Sequence, residues 1–157
     1  LKEKPDFVIF DADCAFKNGM MVSPTMYREL VEEPTLNTLE VLKKNKIPCI
    51  FHTDGNIDKV FPIFIDWGVD ASHGVEAMAN DLCQVKSKYG EDITIIGNFD
   101  PGFLKNASPG EIYAAAHQMV LTGKEGGRYV AAVNTIVSED IPLENYLAYL
   151  KGIGADV

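Results

Sequence analysis

Arginine is nearly missing from this chain: Arg28 and Arg128 are the only two in 157 residues, and the net charge is −9. Affinity for nucleic acid rests on neutralising phosphates with stripes of Lys and Arg, so no nucleic acid is expected as a partner. The same balance argues against this segment gripping a polyanion by itself. Cysteine is scarce and unpaired. Cys14, Cys49 and Cys83 stand far apart with no CxxC, which excludes a disulfide framework and a cysteine zinc knuckle. Cys49 and Cys83 read as buried thiols. No apolar run approaches the ~20 residues of a membrane helix, and the start lacks a basic-then-apolar signal pattern, so no membrane partner and a cytoplasmic location are expected. Phosphate loops are missing too, since neither GxGxxG nor a Walker sequence occurs.

What is present is the composition of an ordinary globular domain, 46% hydrophobic and 24% charged. Short β-branched runs alternate with amphipathic stretches. Asp6–Phe10, Ile47–Phe51, Val69–His73, Ile93–Ile96 and Arg128–Val133 read as strands. The helices read as Ser23–Glu33, a second one restarted by Pro34 through Lys46, Ile57–Trp67, Asp81–Tyr89, Ser108–Leu121 and Pro142–Lys151. Ser23-Pro24 and Ser108-Pro109-Gly110-Glu111 carry N-cap and first-turn signatures. No two strands stand close enough for a hairpin. Apolar strands alternating with helices predict a parallel sheet covered by helices, either doubly wound or a (β/α)8 barrel. Five units are too few to close a barrel, so the barrel reading leaves three units missing. The chain also begins at Leu1 and not at methionine, and truncation or processing is expected.

In parallel α/β folds, chemistry collects at the C-terminal ends of the strands. Those positions hold Asp11 and Asp13, then His52, Asp54, Gly55 and Asn56, then Glu76, then Gly97, Asn98 and Asp100, then Asn134 and Thr135. Residues two apart on a strand face the same way, which pairs His52 with Asp54 and Asp11 with Asp13. A histidine with a carboxylate suits general acid/base work or a metal. Asp100 before Pro101 reads equally as a turn or cap residue, Asp81 as an N-cap, and His73 as a hydrogen-bonded core or loop histidine. His117 reads as structural or surface.

Several segments resemble one family. His52-Thr53-Asp54-Gly55-Asn56 is similar to the H-[ST]-[CD]-G-N segment of the uroporphyrinogen decarboxylase superfamily. Gly97-Asn98-Phe99-Asp100-Pro101 resembles its G-N-[VLF]-D-P motif. Asp13-Cys14-Ala15, Ser23-Pro24-Thr25-Met26-Tyr27, Gly126-Gly127-Arg128-Tyr129-Val130 and Pro142-Leu143-Glu144-Asn145 resemble further pieces in the same order.

The resemblance implies an α/β fold of TIM-barrel type, with residues 1–157 supplying about five of eight units as the C-terminal portion. It implies an enzyme acting at the barrel mouth, either a tetrapyrrole decarboxylase or a corrinoid-linked methyltransferase. His52, Asp54 and Asp13 would be catalytic, and Glu76, Asn98, Asp100 and Asn134 would bind substrate. The partners implied are a small molecule, either a tetrapyrrole or a methyl donor with its corrinoid protein. Zinc or a cobamide follows only through the methyltransferase-like branch, and no residue is assigned as a metal ligand. Asp54 and Thr135 stand where zinc-dependent members carry cysteines, which leaves His52 and Asp54 to hold a harder metal weakly. Asn134-Thr135 replaces the decarboxylase's glycine–histidine pair. By motif the methyltransferase-like branch is closer. The alternative is a noncatalytic half-barrel that acts only as a homodimer or with an N-terminal partner.

Overall fold

The computed structural model describes residues 3–157. In chain order the elements are β1 (Val8–Asp11), β2 (Ala15–Phe16), β3 (Gly19–Met20), α1 (Pro24–Lys44), β4 (Cys49–His52), α2 (Phe61–Trp67) and β5 (Ala71–His73). They continue with α3 (Leu82–Tyr89), β6 (Thr94–Phe99), α4 (Pro101–Asn106), α5 (Pro109–Gly123), β7 (Tyr129–Val133) and α6 (Leu143–Gly152).

Five strands form one parallel sheet in the order β1-β4-β5-β6-β7. A doubly wound sheet reverses its strand order at a switch point. Here each new strand joins the same growing edge and the order never reverses. The faces differ as well. Phe10, Phe51 and Phe99 point to the helices: Phe51 packs on Phe64 and Trp67 of α2, and Phe99 packs on Tyr149 of α6. The opposite face carries Ile9, 51% exposed, and Val130, 48% exposed. One covered face and one open face describe a section of barrel wall, not a two-sided sheet. The fold is a partial (β/α) barrel.

Local chemistry explains most element boundaries. The Ser23 hydroxyl accepts from the Met26 amide at the start of α1. Ser108 and Glu111 form a reciprocal capping box at α5. Trp67 ends α2, and Gly68 follows it in the left-handed conformation that glycine adopts without penalty.

Three expectations need correction. Pro34 does not restart a helix, because α1 runs unbroken through it. Pro34 and Leu30 are both exposed, so the Leu30 carbonyl that loses its donor can turn to water. A hairpin does exist: β2 and β3 pair antiparallel, with Ala15 opposite Met20, inside the segment read as irregular. Cys83 is exposed on α3, while Cys14 is buried. Cys83 sits one position from buried Leu82, so helical periodicity turns it outward.

Among the described residues, no helix is long and apolar enough to cross a membrane.

Candidate functional site

The sheet register delivers side chains to one rim. Asp11, His52 and His73 end β1, β4 and β5, and His52 is the Cα partner of Asp11 on one side and of His73 on the other. Since Phe51 faces the helices, His52 faces the open side, and His73 follows it by register.

Beyond the strand ends, short polar contacts stitch three loops together. The Thr53 hydroxyl accepts from the Cys14 amide at 3.0 Å and from the Cys14 thiol at 3.4 Å. The Asp54 amide donates to Asp13 Oδ1 at 2.9 Å, and the Gly55 amide donates to Glu76 Oε2 at 3.2 Å. Asn80 donates its side-chain amide to the Gly55 carbonyl at 2.8 Å, and the Asn56 amide donates to the Phe16 carbonyl at 2.8 Å. Gly55 must be glycine. Its φ is +89°, and a Cβ there would lie 2.7 Å from the backbone of Ala15 and Phe16 in the hairpin. The segments Asp13-Cys14, His52-to-Asn56 and Glu76 are therefore one assembly.

At its centre, a ring nitrogen of His52 and carboxylate oxygens of Asp13 and Asp54 all lie within 4.8 Å of one another. His52 Nε2 is 3.9 Å from Asp11 Oδ1, and its Nδ1 is 2.8 Å from Nδ1 of His73. His73 Nε2 is 3.1 Å from the Val133 carbonyl oxygen. Burial holds the Asp54 carboxyl above its ordinary value, with Asp13 and Glu76 adding to the rise and His52 and His73 opposing it. Asp54 Oδ1 is buried without a protein partner. Burial also keeps His73 below its usual value and so neutral near pH 7.

This geometry separates the residues singled out from sequence. Asp13, His52 and Asp54 converge, and Glu76 borders them, paired with Lys17 at 3.2 Å. Asn98 and Asp100 are not brought to that cluster. Both line a separate groove of about 890 Å³ among α3, α4 and α5, with Leu82, Phe99, Phe103 and Met119. Asp100 Oδ1 accepts from the Phe103 amide at 2.6 Å and caps α4, the cap reading of that residue. Asn98 donates to the Val75 and Asn80 carbonyls and bridges β6 to the loop before α3. Asn134 is 1% exposed, and its amide atoms lack protein partners.

His73 is hydrogen-bonded, as expected of a core or loop histidine, and the structure adds that it stands beside His52 at the rim. Sequence reasoning did not place it in the site because β5 is three residues long and weak as a strand.

Thiolate chemistry does not fit this rim. The Cys14 thiol is pushed up by burial and engaged with Thr53.

No curated protein matches the chain. Among solved structures, one similar fold is a methyltransferase from Methanosarcina mazei, at 20% identity and a TM-score of 0.73. The likeness covers 94% of this chain and 41% of that one, so the present chain spans well under half of that neighbour's length. The sequence profile of uroporphyrinogen decarboxylase matches residues 7–153. With the one-sided parallel sheet and the stitched rim in place, that match over nearly the whole length means that the chain belongs to the uroporphyrinogen decarboxylase (URO-D) family.

Proposed function

We propose that this chain forms the C-terminal wall of a barrel enzyme that transfers a methyl group from a small-molecule donor to a corrinoid. His52, Asp54 and Asp13 are its working groups. The observation that carries the reading is the convergence of one imidazole and two carboxylates within 4.8 Å at the C-terminal rim.

Charge favours this chemistry over tetrapyrrole decarboxylation. Asp11, Asp13, Asp54 and Glu76 make the rim acidic, and Lys17 is already paired with Glu76. Both arginines are engaged elsewhere: Arg28 with Glu32 and Asp66, and Arg128 with the Asp92 carbonyl. A tetrapyrrole bearing many carboxylates would meet repulsion here. A neutral or cationic methyl donor would not.

The donor set suits a harder divalent cation than thiolate-held zinc, and the unpartnered Asp54 Oδ1 is an oxygen such an ion would satisfy. When bound by His52, Asp54 and Asp13, the ion would polarise the heteroatom that carries the methyl group. As the methyl leaves for the nucleophilic corrinoid, the bonding pair stays on the nitrogen or oxygen, which takes up a proton from water at the open rim, because Asp13 and Asp54 are deprotonated when they hold the ion. The protein's own part is to hold the donor set in place.

The test is methylation of free cob(I)alamin, followed by its absorbance, with methylamines and methoxyarenes as donors. His52→Ala and Asp54→Ala are expected to lose at least about 100-fold in rate, since each removes a group that holds the polarising ion. Decarboxylation of uroporphyrinogen, or full methyl transfer by both variants, would refute the proposal.

The open sheet face favours a second reading, in which the chain is a noncatalytic half that needs further barrel units or a second copy to cover Ile9 and Val130. A stable dimer without methyl transfer would support that reading.

A further inference from the structure

We propose that His73 is a positioning residue that fixes the tautomer of His52, so that the Nε2 lone pair faces the Asp11 side of the rim. This rests on His52 being a working group, as proposed above.

Donors and acceptors run in a chain from Val133 through His73 to His52. The Val133 carbonyl oxygen only accepts, so the contact at 3.1 Å requires the hydrogen on His73 Nε2. A neutral imidazole carries one N–H, which leaves His73 Nδ1 as an acceptor. Its neighbour at 2.8 Å, His52 Nδ1, must then be the donor. A neutral His52 protonated at Nδ1 has its lone pair at Nε2, the nitrogen that lies 3.9 Å from Asp11 Oδ1. Two imidazolium cations at 2.8 Å would repel, so the contact excludes the doubly charged pair.

The fold is built to allow the pairing. His52 and His73 are register partners on adjacent parallel strands, so their rings lie side by side with centroids 4.8 Å apart. Residue 74 is glycine, and a Cβ there would fall 2.8 and 2.9 Å from His52 ring atoms. Free histidine favours the Nε2–H form, which would point a hydrogen towards Asp11 and block Nε2 as a ligand or base. His73 reverses that preference, as partners of ligating histidines generally do.

The test compares three proteins by long-range proton–nitrogen NMR of the 15N-labelled chain at mildly alkaline pH. In the parent, His52 Nδ1 should resonate as a protonated nitrogen and Nε2 as a bare one. His73→Leu should shift His52 towards the Nε2–H form. His73→Gln should restore the parent pattern, because its amide oxygen accepts from His52 and its NH2 donates to Val133. Titration with Mn2+ alone should show affinity falling about 10- to 100-fold in His73→Leu and recovering in His73→Gln.

Nε2–H on His52 in the parent, or an unchanged tautomer in a folded His73→Leu chain, overturns the proposal. If His73→Leu does not fold, the parent spectrum and the glutamine variant decide. A tautomer that follows His73 in a chain that binds no cation and transfers no methyl keeps the positioning role and sinks the functional reading. Methyl transfer insensitive to the tautomer does the reverse.

Discussion

Replacing Gly74 by alanine strains the fold and the site at the same point. Gly74 has φ +88°, and an added Cβ would sit 2.7 Å from the Thr53 carbonyl oxygen and 2.8 Å from His52 Cε1. Left-handed backbone costs an L-residue ~1–2 kcal/mol. The overlap with Thr53 is with backbone, which yields only by a shift of β4 or β5, and overpacking of that kind costs ~1–3 kcal/mol. The total of about 2–5 kcal/mol is a large share of the ~5–15 kcal/mol that holds a domain together. With a urea slope of ~2 kcal/mol per M, the unfolding midpoint should fall by about 1–2.5 M. Circular dichroism reads the midpoint, and Mn2+ titration of the folded fraction should show weaker binding, because the His52 ring has been displaced. Gly110 is the control. A Cβ there meets nothing within 4 Å, so Gly110→Ala should gain roughly 0.4–1 kcal/mol. Equal midpoints for Gly74→Ala and the parent would refute the close approach of the β5 end to His52.

Three further outcomes follow from the same geometry. Asp54 has a raised value in the folded chain, so folding favours its protonated form; that stabilisation is present in acid and lost as pH rises through the folded value. Asp54→Asn should therefore unfold at a higher urea concentration than the parent at neutral pH, with the gap closing on acidification; a less stable variant at neutral pH contradicts this. Ser108→Ala removes one half of the capping box on α5 and should cost about 1 kcal/mol by urea unfolding, and no change would deny the cap. Pro34→Ala restores a donor inside α1 and should stabilise by up to ~3 kcal/mol, whereas a loss would show that the proline is preferred there.

The alternation of apolar strands with helices was legible because a parallel sheet buries its strands, and that alternation carried the barrel reading. The caps at Ser23, Asp81 and Ser108 were equally readable, since each needs only residues three apart. Pro34 misled because proline's cost depends on whether the freed carbonyl reaches water, and only tertiary exposure decides that. The β2–β3 hairpin escaped because its strands are two residues long and it lies against Gly55, thirty-six residues beyond Gly19 in the chain. In the site, strand-end reading found Asp13, His52 and Asp54. It also gathered Asn98 and Asp100, because strand position does not say whether a loop residue turns into the mouth or back to cap a helix. Asp100 does the latter. The hydrogen bonding of His73 was legible but its partners were not, because His52 and the Val133 carbonyl lie 21 and 60 residues away in the chain.

Calorimetric titration of the chain with Mn2+ addresses the claim beneath all of this, that the rim gathers His52, Asp54 and Asp13 into one donor set. Saturable binding of one ion per chain, abolished by His52→Ala and by Asp54→Asn in folded protein, is the predicted result. No saturable binding, or binding indifferent to both substitutions, would contradict it.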